Sequence, residues 1–282
     1  MFKNQFVDYF GKNCDYLKTK RLFLLDMDGT IYNENKLFDG TLDLLNEIGK
    51  LKGKYVFLTN NSSKSVKDYV LKLNNLGIKA TVDDFFTSTQ ATIFYLKNQL
   101  KIHKVYCQGT KSFISELSEG GIEVTEEVSE DAEAVLIGFD TELTSQKLRN
   151  TCEMLNKNIP YIATNPDLVC PVDFGFIPDC GSICQMLKNA TGKEPVYIGK
   201  PKSLMVDLVL NKFYYNKDDA VIVGDRLYTD IATGVNAGIT SICVLTGEAS
   251  VDDIKKSEIK PTYTFLSVNK IYNCLKGLQN FK

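Results

Sequence analysis

Leu22-Phe23-Leu24-Leu25-Asp26-Met27-Asp28-Gly29-Thr30 decides the fold of this chain. Four consecutive apolar residues are too few for a helix and read as a strand covered on both faces, the kind found in parallel sheets. The run stops at an acid, meets a second acid two residues on, and reaches a glycine. In open parallel sheets, ligands bind beyond the carboxyl ends of the strands, so acids placed there are candidate site residues. Taken alone the pair stays open: one acid can simply cap the next helix, and sugar-nucleotide transferases hold metal with similar pairs.

Outward from this run the pattern alternates. Leu44, Ile48 and Leu51 recur as one face of a helix, and residues 55–58 form a strand ending at Thr59. Val66, Val70 and Leu73 mark a second helix that stops at Gly77. Later, residues 196–198, 220–223 and 240–245 read as three more buried strands, with helices over 204–213 and 230–237. The middle has its own set: strands over 104–107, 134–139 and 160–164, helices over 111–119 and 145–158. Alternation of this kind predicts an α/β fold, a parallel sheet flanked by helices. Phe2, Phe6 and Phe10 predict an additional amphipathic helix packed on the main domain.

Composition removes several function classes. The chain has 282 residues, with 33 basic and 35 acidic side chains and no long run of either sign, so it lacks the basic stripe of a nucleic-acid binder. No apolar stretch approaches a membrane span, and the N-terminus has no apolar signal core, so a cytoplasmic location is expected. His103 is the only histidine, which excludes multi-histidine metal sites. The eight cysteines contain no C-x-x-C pair, and the spacings of Cys170, Cys180 and Cys184 match no common metal site; inert thiols are expected. Chemistry must then rest on carboxylates, hydroxyls, amides and lysines.

Four segments stand at or just past predicted strand ends: Asp26 to Thr30, Thr59-Asn60-Asn61, Gly199-Lys200-Pro201, and Gly224-Asp225-Arg226 with Asp230 beyond. Each has a plain structural reading, as a turn, a helix cap, a surface lysine or a first-turn acid. Converging on one crevice, they would make a phosphate site. Asp26, Asp28 and Asp225 offer the hard oxygen ligands that Mg²⁺ prefers. Lys200 supplies a fixed positive charge, and Thr59, Asn60 and Asn61 supply hydrogen-bond donors. Without both cations, an anionic nucleophile could not approach an anionic substrate.

The order D-x-D-G-T, Thr59-Asn60-Asn61-Ser62, Ala163-Thr164-Asn165-Pro166-Asp167, Gly199-Lys200-Pro201 and Gly224-Asp225-Arg226-Leu227-Tyr228-Thr229-Asp230 resembles the haloacid dehalogenase superfamily, in particular its NagD-like or p-nitrophenyl phosphatase group. The resemblance runs from about Leu22 to Gly247. It implies a Rossmann-like parallel-sheet core with an inserted, smaller α/β cap domain. It further implies that Asp26 attacks phosphorus to form an aspartyl-phosphate, and that Asp28 protonates the leaving alcohol and later activates water. Mg²⁺ would be held by the Asp26 side chain, the Asp28 backbone carbonyl and the Asp225 side chain, with Asp230 and Gly29 in support. Thr59, Asn60, Asn61 and Lys200 would hold the phosphoryl group. In this resemblance dehalogenases lack the second acid, so Asp28 points to a phosphate ester and away from carbon–halogen chemistry. Transfer to an acceptor other than water, and a non-catalytic phospho-ligand sensor on the same scaffold, are the alternatives.

Spacing places the cap. The interval between Asp28 and Thr59 holds 30 residues, room only for the loop, helix and strand already assigned. Between Thr59 and Lys200 there are 140, enough for an independent α/β module. The expected division is a core domain of residues 1–102 plus 195–282, with the cap at 103–194. Within the cap, Asn165, Asp173 and Asp179 are the candidates for substrate contact, although 178–182 departs from the glycine-richer loop usual in the family. The expected partner is a small phosphorylated metabolite, with no nucleic acid and no membrane; similar proteins often form homodimers through the cap.

Overall fold

In the computed structural model, which describes residues 6–172 and 174–277, the Leu22–Leu25 run is strand β1 and all four of its residues are buried. Further along lie β2 (Tyr32–Asn33), β3 (Lys36–Leu37), β4 (Lys54–Thr59), β5 (Phe85–Thr87), β6 (Lys104–Gln108), β7 (Glu123–Thr125) and β8 (Ala134–Ile137). Strands β9 (Tyr161–Ala163), β10 (Val169–Val172), β11 (Gly175–Pro178), β12 (Val196–Tyr197), β13 (Ala220–Gly224), β14 (Thr240–Val244) and β15 (Tyr263–Phe265) follow. The helices begin with α1 (Thr41–Lys50), α2 (Val66–Asn75), α3 (Ser88–Phe94), α4 (Lys111–Glu119) and α5 (Ser145–Leu155). They continue with α6 (Cys180–Thr191), α7 (Leu204–Phe213), α8 (Ala232–Ala237), α9 (Val251–Lys256) and α10 (Val268–Lys276).

The chain forms two compact units: Met1–Leu58, Leu73–Phe85 and Pro201–Lys282 make the first, and Thr59–Lys72 with Phe86–Lys200 the second. The first is built on a sheet of order β15-β14-β13-β1-β4-β5, in which β15, β14, β13, β1 and β4 pair in parallel. Its strands are apolar on both faces, as a parallel sheet covered by helices requires: Phe23, Leu24, Val56, Phe57, Ile222 and Val223 are fully buried. The second has a parallel sheet of order β12-β9-β8-β6-β7 and an antiparallel β10–β11 hairpin. Val135, Ile137, Met154, Ile183 and Leu187 fill its core. The expected α/β architecture is therefore observed. No helix among the described residues is long and apolar enough to cross a membrane.

Two local expectations fail for physical reasons. Residues 6–13 form a bridged turn, with Val7 paired to Asn13, in place of a helix. The Asp8 carboxylate accepts the backbone N–H groups of Phe10 (3.0 Å) and Lys12 (2.8 Å), a competing turn that Gly11 permits at φ +84°; Phe2 lies outside the described residues. Val196–Tyr197 is an edge strand on β9 rather than a buried one, and Val196 is 44% exposed. The stretch read as helical over 230–237 is helical: a π-helical turn over residues 227–231, a geometry common at functional sites, leads into α8.

One contact in the second unit ties α2 to α4. Ser112, Glu116 and Glu119 share one face of α4 at i, i+4 and i+7. They accept, in turn, the Ser65 N–H (2.9 Å), the Val66 N–H (3.1 Å) and the Lys67 ammonium (2.7 Å). Burial pushes Glu116 up from an ordinary 4.5 to about 7, against the hydrogen bonds from Val66 and Thr87, with Glu119 and Asp68 adding repulsion. The folded chain therefore keeps this proton while the unfolded chain releases it, so stability falls as pH rises from about 4.5 to about 7 and stays lower above. Glu116→Gln keeps an acceptor and carries no charge. In denaturant titration its unfolding free energy should lie close to the wild type's at pH 4 and exceed it at pH 8, by a gain on the order of 3 kcal/mol; an equal difference at both pH values refutes this account.

Candidate active site

Neighbouring strands β1 and β13 set Leu25 opposite Val223, and the Asp26 N–H extends the ladder by donating to the Val223 carbonyl at 2.9 Å. The residues that follow each strand therefore emerge side by side. One carboxylate oxygen from each of Asp26, Asp225 and Asp230 lies within 4.8 Å of the others. Asp225 and Asp230 are 3% and 1% exposed. The Thr30 hydroxyl reaches Asp26 Oδ2 at 3.4 Å and Asp225 Oδ1 at 3.5 Å. Backbone donors add support: the Glu248 N–H to Asp225 Oδ2 (2.7 Å) and the Arg226 N–H to Asp230 Oδ2 (3.1 Å).

Two glycines let the backbone close around Asp225. Gly29 sits at φ +81°, and a Cβ there would lie 2.7 Å from Asp225 Oδ2; a Cβ on Gly247 would collide with the same carboxylate. Asp28 is half-buried, and its Oδ2 accepts the Tyr32 hydroxyl at 3.2 Å. Its side chain is not one of the three clustered carboxylates; Asp230 is. Nearby, burial pushes the Cys243 thiol up to about 12, with Asp225 and Asp230 adding to the shift, so this cysteine stays protonated and unreactive.

The remaining sequence-derived residues lie in the second unit, where Asn60 is the hub. Its side-chain carbonyl accepts the Lys200 N–H (2.8 Å), and its amide donates to the Lys200 carbonyl (3.0 Å) and to Asp167 Oδ2 (2.6 Å). The Ser88 hydroxyl donates to the Asn60 backbone carbonyl at 2.7 Å. Thr59 Oγ1 accepts the Asn61 N–H (3.1 Å), and Asn61 Oδ1 accepts both the N–H and the hydroxyl of Ser63, so Asn61 shapes the turn. Lys200 is 3% exposed, not the solvated surface lysine that its position before proline suggests.

Asn165 and Asp179 join the same buried network. The Asn165 amide donates to Asp167 Oδ2 (2.8 Å) and Asp179 Oδ1 (3.0 Å), and Asp179 caps α6 through the Cys180 N–H (2.5 Å). Asp173 lies outside the described residues. Sequence reasoning gave no role to Tyr32, Ser88, Asp167 or the Glu248 N–H. Only Asp167 had a local signal, as the last member of Thr164-Asn165-Pro166-Asp167.

Comparison with known proteins supplies the family. Residues 23–123 match the model for haloacid dehalogenase-like hydrolases, and residues 197–271 match a second HAD-hydrolase-like model. An acid sugar phosphatase of Staphylococcus haemolyticus is 32% identical over 253 residues, covering 90% of this chain and 95% of that protein. The crystal structure of a 4-nitrophenylphosphatase from Thermotoga maritima superposes with a TM-score of 0.88 at 38% identity, covering 92% of this chain and 99% of that one. A glycerol phosphate phosphatase from Mycobacterium tuberculosis, solved in complex with magnesium, gives 0.85 at 27% identity over 94% of this chain and 80% of the other. The chain belongs to the haloacid dehalogenase-like hydrolases. Within them it falls in the group of NagD-like and 4-nitrophenyl phosphatases.

In this hydrolase, the Asn60 amide is the structural link between the loop after β4, Asp167 and Lys200. Asn60→Ala removes one buried acceptor and two donor contacts at once. It should lower unfolding free energy by about 2–4 kcal/mol in denaturant titration; a loss below about 0.5 kcal/mol, typical of a surface site, would show that the network carries no such weight.

Proposed function

We propose that this phosphomonoester hydrolase is a Mg²⁺-dependent phosphatase of small phosphorylated metabolites that works through an aspartyl-phosphate. The observation that carries the reading is the trio Asp26, Asp225 and Asp230, drawn within 4.8 Å at the ends of β1 and β13, with a second acid, Asp28, two residues beyond the first. The donor set fits a hard divalent cation: its side-chain ligands are carboxylate oxygens, with no histidine or thiolate among the three. The glycine-lined wrap around Asp225 fits too, because it holds that carboxylate toward the other two without side-chain obstruction. Asp26 and Asp225 would hold Mg²⁺ by their side chains and Asp28 by its carbonyl, with Asp230 in support. Bound there, Mg²⁺ supplies the positive charge that lets a carboxylate approach a phosphate and stabilises charge on the transferring group.

The chain's own residues then divide the work. An Asp26 oxygen attacks phosphorus; the bond from phosphorus to the ester oxygen breaks, and Asp28 delivers its proton to that leaving oxygen. Asp28, now ionised, takes a proton from water as the water attacks the aspartyl-phosphate, which releases inorganic phosphate and restores Asp26. Tyr32 orients Asp28 for both transfers through its 3.2 Å hydrogen bond. Thr59 and the Asn61 turn would hold phosphoryl oxygens, and Lys200 would balance their charge. Asn60 acts mainly by fixing Lys200, since its side-chain amide already serves Asp167 and the Lys200 carbonyl. Thr59 supports the assignment: it is the last residue of β4, the strand paired with β1 in the same parallel sheet.

Residues 103–194 would act as the cap that admits the substrate and chooses the leaving group. The names of the relatives, an acid sugar phosphatase and a glycerol phosphate phosphatase, favour a small polyol or sugar phosphate over a macromolecular one. Cleavage of p-nitrophenyl phosphate tests the chemistry. Asp26→Asn should lower kcat by about three orders of magnitude or more, and Asp28→Asn should lower kcat strongly with little change in KM. A fully active Asp26→Asn protein rules out the covalent route. Chelation with EDTA should abolish turnover and Mg²⁺ should restore it. In calorimetry, Asp225→Asn should weaken Mg²⁺ binding by about tenfold or more. Activity unaffected by prolonged chelation would remove the metal from the scheme.

A further inference from the structure

All eight cysteines are free thiols, and two of them meet across almost the whole length of the chain. Cys14 precedes a 3₁₀ turn over Asp15–Thr19, and Cys274 stands in the last turn of α10. Both belong to the first unit. Their sulfurs are 2.6 Å apart, and the Cys274 thiol also donates to the Cys14 carbonyl at 3.4 Å. Non-bonded carbon atoms rest at about 3.5–4.0 Å, and sulfur is the larger atom. A disulfide bond measures about 2.05 Å. The pair therefore stands nearer to bonding distance than to ordinary contact.

Packing makes this meeting a property of the fold. Val268, Ile271, Cys274 and Leu275 recur as the buried face of α10, so the Cys274 side chain has to point into the core. On the other side, the 3₁₀ turn packs on α10 with Leu17 fully buried, and the Cys14 N–H donates to the Phe6 carbonyl at 2.8 Å. Both cysteines are themselves fully buried. The hydrogen bond with Cys14, and then burial, holds the Cys274 thiol well above the usual thiol range. A reagent in solution therefore reaches the pair only when the segment carrying Cys14 lifts. That segment lies near one end of the sequence given, and local opening costs least near chain ends.

We propose that Cys14 and Cys274 are a redox-sensitive pair, which a low-molecular-weight disulfide closes into a bond stapling the N-terminal segment to α10. The Cys14 sulfur attacks one sulfur of the reagent, and the other half leaves as a thiol that takes up the Cys14 proton. The Cys274 sulfur then attacks the Cys14 sulfur of this mixed disulfide and displaces the second half, which takes up the Cys274 proton. Two protein thiols are oxidised, and one reagent disulfide is reduced to two thiols. The new bond encloses residues 14–274 in one covalent loop. Long loops remove most freedom from the unfolded chain, so the closed form resists unfolding. Neither cysteine takes part in the proposed phosphate chemistry, so the staple and that chemistry stand or fall separately.

The test treats the folded full chain with excess oxidised glutathione and afterwards with dithiothreitol. Both states are read by non-reducing peptide mapping and by thermal unfolding. After oxidation the map should contain the peptide pair joined through Cys14 and Cys274, and the thermal midpoint should rise by about 5 °C or more. Dithiothreitol should reverse both changes. Cys14→Ala and Cys274→Ala should each lose the joined pair and the rise together. The wild-type map alone decides the cross-link should either variant fold poorly. Cys14 and Cys274 recovered as thiols after oxidation, or joined without any rise in midpoint, overturns the proposal.

Discussion

Three carboxylates held within 4.8 Å of one another form the constraint around which the first unit is organised. At an effective dielectric of about 20, each pair of ionised groups at that distance repels by roughly 3 kcal/mol. Nothing local could hold such a cluster. It is held because Asp26 and Asp225 extend two adjacent strands whose side chains are fully buried, and the register of those strands is fixed by their apolar faces. Backbone N–H groups from Arg226 and Glu248 offset part of that repulsion.

The second unit solves a different electrostatic problem with a neutral group at its centre. Lys200, Asp167 and Asp179 are each nearly inaccessible to water, and burying charges is costly unless they are paired and hydrogen-bonded. Asn60 and Asn165 meet that need for the two carboxylates: one amide donates to Asp167 and also holds the Lys200 backbone, the other donates to both Asp167 and Asp179. An amide suits this place because it donates and accepts at once and brings no charge of its own. A carboxylate at Asn60 would stand 2.6 Å from Asp167 with nothing to donate.

How much of this could be read in advance follows from which forces are local. Strands such as Leu22–Leu25 and Ala220–Gly224 were legible because burial on both faces leaves an uninterrupted apolar run. Helices such as Lys111–Glu119 and Leu204–Phe213 were legible as stretches between the strands. The spacing of Phe6 and Phe10 suited a helix equally well, yet the Asp8 carboxylate captured the same backbone N–H groups for a turn. The acids after β1 and β13 were legible because a strand end in a parallel sheet is a chemically special place. Tyr32 and Ser88 were not, since their parts depend on where the chain returns in space, which no window of sequence reports.

The separation of the two acids after β1 has a structural origin. Asp26 continues the strand, as its hydrogen bond to Val223 shows, and Met27 is 1% exposed and anchored in the core. Along extended backbone, side chains alternate between faces, so a buried Met27 turns Asp26 and Asp28 to the other side together. Both are indeed half-exposed. Beyond Asp28 the backbone leaves the strand at Gly29, and the 28–32 bridge with the Tyr32 hydroxyl keeps the second carboxylate from following the turn away. An apolar residue between two acids is therefore the smallest arrangement that gives one strand end two carboxylates on one side. The first joins the trio with Asp225 and Asp230; the second stays outside it.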